Sequence, residues 1–334
     1  MLAAGLAGTA ILLAAPVSAA LARAQWPRRA PRAALVLWQA VCLSAGLCLV
    51  GAGVVLAFQP LGADLLRASR TWFTDLSAGH PLERMSGHGI VAGTTSTLIA
   101  LILFGVLVRS AILTARRRRT HRLVLDLLTG DPPAGQTGRP GEPVGSERVA
   151  RVATDRGVED LLVDVRILDH PAPVAYTLPG WHSRIVLSAG MLHLLDRAEL
   201  IAVVDHERAH IRSRHDLLVL PFQAWATAVG WLPGVRAAGQ SVAELTEMLA
   251  DDGATRRSSP AVLARALATV ALSGVGESGL VGSQTPAVAG RAVSARVERL
   301  LRPIPLARWA LSCIYVAAVL LLALPVVPLV IGWS

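Results

Sequence analysis

"DHERAHIRSRHD", residues 205–216, places three histidines, one glutamate and several arginines in a chain that is otherwise strongly apolar. Within it, His206, Glu207 and His210 form the pattern His-Glu-x-x-His. Residues four apart lie on one face of a helix, so both imidazoles can bind one metal ion while Glu207 lies beside them. Two histidines and a carboxylate suit one Zn²⁺ ion and leave a fourth position for water. The pattern predicts a zinc site with Glu207 as catalytic base; a metal-free polar helix face is the alternative.

The residues before this pattern predict the helix that contains it. Asp196 is followed three residues later by Glu199, an arrangement typical of a capping box at the start of a helix. The apolar residues that follow have helical spacing and are expected to face a core. They are Leu200, Ile201, Val203, Val204 and Ile211.

The third ligand is expected on a later helix, in "SVAELTEMLADDGA", where Glu244 and Glu247 are both candidates. Ser241 and Glu244 resemble a capping box, which gives Glu244 a structural role at the start of that helix. Glu247 is followed one turn later by Asp251, and two carboxylates at this spacing repel each other unless a cation or a histidine N–H lies between them. We therefore predict Glu247 as the third ligand and Asp251 as the residue that orients a metal-bound histidine.

Other polar residues near the motifs are weaker candidates. His215 lies five residues after His210, nearly on the opposite face if the helix continues, so we do not expect it to bind metal. His215, Tyr176 and Arg212 are candidate contacts to a substrate or transition state. A solvated charge explains Arg212 equally well, and packing explains Tyr176. Asp252 is expected to be solvated.

The composition indicates a membrane protein. The 334 residues are 53% hydrophobic with a mean hydropathy of +0.52, which is too apolar for an ordinary soluble protein. Four apolar stretches are long enough, at roughly 20 residues each, to cross a hydrocarbon core as helices. They are residues 2–22, 34–58, 89–108 and 306–331. Cys42, Cys48 and Cys313 all lie in these stretches, which excludes cysteine chemistry from the rest of the chain.

The distribution of arginine predicts the orientation. All 32 basic side chains are arginines, and two groups of them, in residues 23–32 and 116–122, flank predicted spans. By the positive-inside rule both groups are cytoplasmic, so residues 116–302 are expected in the cytoplasm and both termini outside. This orientation explains the net charge of +9, and we expect no direct binding of nucleic acid. A cleaved signal peptide is the alternative for residues 2–22, but no positive charge precedes that run.

Composition also divides the chain into regions. Residues 1–115 form a membrane region, and residues 116–146 are a basic linker rich in Pro and Gly. Residues 147–302 are expected to form a domain of the α+β class. In it, a helix at 146–158 and a strand at 161–168 precede two short β-prone runs and the helix of the metal motif.

The apolar stretch at 217–235 contains no charged residue and separates the two metal motifs. If it crossed a membrane once, Glu247 and His206 would lie on opposite sides and the site could not assemble. The stretch therefore predicts either a hairpin near Pro221 or Gly230, re-entrant or interfacial, or a helix in the core.

The metal motifs and the segments before them resemble a known family. "AYTLPG" and "IVLSAGML" precede His-Glu-x-x-His, and "EMLAD" follows it. In this order they resemble the integral-membrane metallopeptidases of the BlaR/MecR type, with the CAAX-prenyl and heat-shock membrane proteases as broader relatives. The resemblance covers residues 116–252 and implies a zincin-like, gluzincin-type endopeptidase domain with one Zn²⁺. It assigns His206, His210 and Glu247 as ligands and Glu207 as general base.

The resemblance also implies how substrate binds. Residues 183–188 match an edge strand that holds an extended substrate, which would place Arg184, Ile185, Val186 and Leu187 in contact with it. In the antibiotic-sensing members the substrate is a cytoplasmic repressor, here expected to be a winged-helix protein. This sequence stops soon after the fourth span, so we expect no penicillin-binding sensor domain and no β-lactam sensing.

These expectations combine into a multi-pass cell-membrane protein of about four spans with a cytoplasmic zinc metalloendopeptidase domain. Its expected partners are the lipid bilayer and a protein substrate. The alternative is a membrane signalling scaffold whose zinc is not catalytic. A transporter or channel is weaker, because the predicted spans contain almost no ionisable residue.

Overall fold

The described part of the chain, taken from a computed structural model, comprises residues 1–128, 165–178, 183–231, 233–273 and 286–332. The predicted helix at 146–158 lies outside the described residues, as do most of the predicted linker and the first half of the predicted strand at 161–168.

Helices dominate the described residues. In chain order the first elements are α1 (Leu2–Leu12), a π-helical turn (Leu13–Val17), α2 (Ser18–Arg23), a 3₁₀ turn (Trp26–Arg29), α3 (Pro31–Phe58), α4 (Leu65–Ser77) and α5 (Gly87–Leu128). Three strands follow, β1 (Val165–Leu168), β2 (Ala175–Leu178) and β3 (Arg184–Ser188). The later helices are α6 (Ala189–Leu194), α7 (Arg197–Arg212), α8 (His215–Val229), α9 (Pro233–Ala254), α10 (Pro260–Leu272), α11 (Pro286–Leu301) and α12 (Arg308–Ile331).

Within the described ranges, four helical segments are long and apolar enough to cross a membrane. They are Leu2–Arg23, Pro31–Phe58, Gly87–Arg116 and Arg308–Val327. All four predicted stretches are thereby confirmed as apolar helices. The third apolar segment belongs to α5, and this helix continues to Leu128, well past the predicted end of the span at residue 108. Alanine, arginine and leucine are strong helix formers, and no proline or glycine interrupts them after residue 108.

The chain separates into two compact units. The first consists of Met1–Ser110, Leu220–Leu245 and Leu306–Ser334, and the second of Ala111–Val219 and Thr246–Pro305. Three of the four apolar helices lie wholly in the first unit, together with most of the third. Both metal motifs lie in the second unit.

Small residues allow close helix contacts in the first unit, where α1 and α12 both pack against α3. The hydroxyl of Ser44 on α3 donates a hydrogen bond to the carbonyl of Leu321 on α12 at 2.6 Å. A Cβ atom at Gly53 would overlap the side chain of Ser96 on α5. Between apolar helices, such small and hydroxylated residues allow the backbones to approach closely.

The apolar stretch at 217–235 contains a break at the predicted glycine. Helix α8 ends just before Gly230, and α9 begins at Pro233. A Cβ atom added at residue 230 would overlap the carbonyl of Ala226, so only glycine fits there. Pro221, the other predicted break, lies inside α8. Because α9 begins about two turns before Ser241, the prediction that Ser241 and Glu244 cap this helix is wrong. Proline at the first helical position, where its missing N–H costs nothing, starts the helix instead.

The described strands form one sheet with the order β1-β3-β2. Strand β3 pairs in parallel with β1 and antiparallel with β2, so both of its backbone edges are occupied. The prediction that residues 183–188 form an edge strand is therefore wrong. The physical reason is visible in the sequence, because Ile185, Val186 and Leu187 are three consecutive apolar residues, each at most 2% exposed. Such a continuous run is typical of a strand covered on both faces.

One face of the sheet and the helices after it form the core of the second unit. Helix α7 begins with the predicted capping box, in which the Asp196 carboxylate accepts from the Glu199 amide and the Glu199 carboxylate accepts from the Asp196 amide. The buried cluster that holds α7 on the sheet comprises Val165, Ala175, Ile185, Leu187, Met191, Leu192, Leu195, Leu200, Val203, Val204 and Ala266. This packing fixes the helix on which the first metal motif lies.

Candidate metal centre

Three side chains from two helices converge in the second unit. His206 and His210 lie one turn apart on α7, and their Nε2 atoms are 3.2 Å apart. Glu247 on α9 places one carboxylate oxygen 3.4 Å from Nε2 of His206 and the other 3.5 Å from Nε2 of His210. These three residues are the group of metal-ligand side chains that the described residues bring within reach of one ion.

The spacing of these atoms fits a zinc ion. Ligand atoms about 2.0–2.1 Å from a tetrahedral Zn²⁺ lie roughly 3.3–3.4 Å from one another. The two Nε2 atoms are 3.2 Å apart, and they lie 3.4 and 3.5 Å from different oxygens of Glu247, so each of these separations is close to that spacing. The two distances to Glu247 exceed the length of a charge-assisted hydrogen bond, about 2.7–2.9 Å. Two imidazoles and a partly exposed carboxylate are also the donor set of a catalytic zinc site with an open fourth position.

A glycine lets the two ligand-bearing helices approach. A Cβ atom at Gly253 on α9 would lie 2.5 Å from the Cβ atom of Ala209 on α7, closer than two such carbons can pack. Ala209 directly precedes His210, and Gly253 is less than two turns beyond Glu247. The contact between Gly253 and Ala209 therefore sets the distance between α9 and α7 at the level of the ligands.

Asp251 lies where the sequence predicts an orienting carboxylate. Its Oδ1 is 3.0 Å from Nδ1 of His206, on the far side of the ring from the convergence point. The side chain is fully buried. Burial alone would raise the pKa of Asp251, but the neighbouring Arg296 and His206 outweigh it and lower the pKa to about 2. Asp251 is therefore a fixed negative charge behind His206.

Sequence reasoning missed Arg296. From α11, its guanidinium donates to both carboxylate oxygens of Asp251, at 2.7 and 2.8 Å, and lies 3.2 Å from Glu247. The sequence does contain a feature that could have identified Arg296. This residue lies one helical turn from Val293 and from Leu300, on the apolar stripe of an amphipathic helix. A charge at such a position predicts a buried partner, although it does not say which one.

Asp252 was expected to be solvated, but the structure gives it a charged partner. Its carboxylate accepts two hydrogen bonds from one nitrogen of Arg299, at 2.8 and 2.9 Å. Arg299 follows Arg296 by three residues on α11, so two consecutive aspartates of α9 each pair with an arginine of the same helix. These pairs tie α11 to the end of α9 that lies next to the metal ligands.

Glu207 is a buried carboxylate beside the convergence point. Its side chain is 7% exposed, and burial raises its pKa above the ordinary value despite the nearby histidines. A carboxylate with a raised pKa is a better proton acceptor near neutral pH. The position and the raised pKa suit Glu207 for proton transfer.

His215 lies next to His210, contrary to the expectation that it would be on the opposite face. Helix α7 ends at Arg212 and α8 begins at His215, with Arg214 between them at a φ of 46°. The sharp turn brings Nδ1 of His215 to 3.1 Å from Nδ1 of His210. Burial and the neighbouring His210 lower the pKa of His215 to about 4.

The structure does not bring the remaining candidates together with this cluster. Tyr176 pairs with Val186 on the sheet face opposite the one that packs against α7, in a cluster with Leu178 and Leu168. Arg212 is exposed at the end of α7. The predicted substrate contacts Arg184, Ile185, Val186 and Leu187 lie on the central strand β3, whose edges are already paired.

Comparison with known proteins agrees with this geometry. Residues 146–275 match the model of peptidase family M48. The matched region contains both histidines of α7, Glu207 and Glu247. A protein described as "Protease HtpX homolog" from Acidiphilium cryptum (strain JF-5) is 34% identical over 85 residues, which are 25% of this chain. The chain spans 30% of the length of that relative. No solved structure matches this chain.

The similarity and the four apolar helices together support a membrane metallopeptidase. M48 peptidases are typically zinc-dependent, which agrees with the donor set formed by His206, His210 and Glu247. The narrower resemblance to the BlaR/MecR type stays a prediction.

Proposed function

We propose that this chain is a membrane-bound zinc metalloendopeptidase that hydrolyses peptide bonds of a protein substrate. The supporting observation is the convergence of His206 Nε2, His210 Nε2 and the Glu247 carboxylate, with closest separations of 3.2, 3.4 and 3.5 Å and the buried Glu207 beside them. A polar helix face without metal does not account for this convergence from two helices, because its histidines would face water or separate partners.

When bound, Zn²⁺ supplies a Lewis acid that polarises a peptide carbonyl and acidifies a water molecule. Glu207 accepts a proton from that water as its oxygen attacks the carbonyl carbon. The same carboxylic acid then donates the proton to the leaving nitrogen as the C–N bond breaks. The products are a carboxylic acid, which then loses its proton to solvent, and an amine, and Glu207 returns to its starting state.

Asp251 and Arg296 support this chemistry without contacting the substrate. The carboxylate of Asp251 lies 3.0 Å from Nδ1 of His206, and Arg296 donates two hydrogen bonds to that carboxylate. The guanidinium also lies 3.2 Å from Glu247, which restrains a carboxylate that must present one oxygen to the ion. Such outer partners keep ligands oriented before the ion arrives.

The test of the proposed function is Glu207→Gln in the full chain purified in detergent. We expect this variant to retain one zinc per chain by metal analysis, while cleavage of an unfolded protein substrate falls about 10²- to 10⁴-fold. Glu244→Gln is the matched control, since Glu244 lies on α9 outside the cluster. Unchanged proteolysis in Glu207→Gln would refute the assignment. Zinc binding by a wild-type chain that cleaves nothing would instead support a signalling scaffold.

The side of the membrane and the substrate belong to the same proposal. The arginines at 116–119, at the end of the third apolar helix, support a cytoplasmic position for residues 116–302, with both termini outside. Fusing a reporter enzyme that is active on one side of the membrane to the C-terminus tests this orientation.

Cleavage of a cytoplasmic winged-helix repressor is the narrower proposal, supported by the resemblance to the BlaR/MecR type. Co-expression with the repressor encoded next to the chain, if there is one, tests it. A repressor left intact by the wild type, under conditions where a general protein substrate is cut, would reject this substrate while leaving the peptidase assignment standing.

A further inference from the structure

We propose that His215 is a positioning residue that fixes the proton of His210 on Nδ1 and so directs the Nε2 lone pair of His210 at the metal. The inference rests on the proposed zinc site. It concerns the second histidine of the motif, whereas Asp251 lies behind the first.

The contact between the two rings is specific in its geometry. Nδ1 of His215 lies 3.1 Å from Nδ1 of His210, and the ring planes meet at 87° with their centroids 4.9 Å apart. The perpendicular planes exclude face-to-face stacking, and the short distance between the nitrogens is that of a hydrogen bond. His215 is 3% exposed, so water cannot readily take its place.

The proton between the rings has one location that is compatible with metal binding. At 3.1 Å one Nδ1 must donate and the other accept, since two N–H groups or two lone pairs facing each other repel. His210 needs its Nε2 lone pair for the ion, so its own proton is on Nδ1. His210 is therefore the donor, and the lone pair on Nδ1 of His215 is the acceptor.

Both metal-facing histidines thus have a polar partner close to Nδ1. His206 has Nδ1 3.0 Å from the Asp251 carboxylate, and His210 has Nδ1 3.1 Å from the His215 ring. A histidine ligand whose second nitrogen donates to a fixed partner keeps its tautomer and ring orientation. A neutral partner for His210 adds no further charge to a cluster that already contains Glu207, Glu247 and Asp251.

The backbone places His215 at a conformational cost. Arg214 has a φ of 46°, in the left-handed region that arginine seldom adopts. Its amide donates to the carbonyl of Ile211 at 3.2 Å, and its carbonyl accepts from the amide of Leu217 at 2.9 Å, so α8 starts in a new direction. The side chain of Arg214 is exposed, so the conformation at this position is what matters. Strained residues of this kind persist where the surroundings require them.

The experiment compares His215→Leu with His215→Asn in the full chain in detergent. Leucine fills the space without an acceptor, whereas the side-chain oxygen of asparagine can accept near the position of Nδ1. By competition with a chromogenic chelator, we expect zinc affinity to fall about 10- to 100-fold in His215→Leu and to be largely restored in His215→Asn. His193→Leu, an exposed histidine on α6, is the control and should leave affinity unchanged.

Two further measurements separate positioning from folding. Substitution with Co²⁺ should give an altered ligand-field spectrum in His215→Leu and a wild-type spectrum in His215→Asn, while thermal unfolding without metal shows whether each variant folds. Arg214→Gly should keep zinc affinity because glycine adopts the left-handed region freely, whereas Arg214→Val should lower it. Equal zinc affinity and equal spectra in the Leu and Asn variants would overturn the proposal. A wild-type chain that binds no zinc would overturn the proposed function itself.

Discussion

Replacing Arg296 with methionine removes a guanidinium that donates to both oxygens of Asp251 and lies 3.2 Å from Glu247. Asp251 is fully buried, so water cannot replace the lost partner. Removing one member of a buried ion pair costs about 3–5 kcal/mol. At about 2–4 °C per kcal/mol, Tm should fall by roughly 6–20 °C. Thermal unfolding in detergent, with zinc removed by a chelator, measures this loss.

The matched control is Arg299→Met, one turn along the same helix. Its partner Asp252 is 43% exposed, so the free energy of unfolding should fall by at most about 1 kcal/mol. Combining Arg296→Met with Asp251→Asn removes both charges and should recover part of the loss. Saturating zinc should also reduce it, because a dication compensates Glu247. Equal losses in Arg296→Met and Arg299→Met would refute the buried-pair argument.

Two further predictions concern the metal site. Gly253→Val should push α9 away from Ala209 and weaken zinc binding, as measured by chelator competition. Gly290→Val, at a glycine with open space around it, should leave zinc binding unchanged. Equal effects of the two variants would mean that the contact between Gly253 and Ala209 does not set the ligand spacing. Chelation of zinc from a sample held at about 1,000 times its Kd should lower the free energy of unfolding by about 4 kcal/mol, and a Tm insensitive to chelation would contradict a metal site in the folded protein.

Features determined by neighbouring residues could be predicted from the sequence. The four apolar helices follow from the length of their apolar runs, and the capping box at Asp196 and Glu199 is set by two residues one turn apart. The placement of Glu247 near the histidines also follows from a local argument, since the repulsion between Glu247 and Asp251 requires a positive partner.

Features determined by distant or conformational effects could not be predicted. The central position of β3 depends on the crossover that pairs β1 with it, which no local pattern specifies. Arg296 comes from a helix far along the chain, and His215 reaches His210 because a single residue, Arg214, leaves the helical region of φ. The sequence pattern predicts the start of α9 at Ser241 and not at Pro233, because both residues are typical of helix starts.

The buried arginine has a consequence for the choice of metal. Glu207, Glu247 and Asp251 provide three negative charges when ionised, and Arg296 provides one positive charge in the same cluster. One dication makes this cluster electrically neutral, whereas a monovalent ion such as Cu⁺ or a trivalent ion such as Fe³⁺ leaves a net charge where hydration is poor. By charge balance we therefore expect the guanidinium to favour a dication, although it is not itself a ligand.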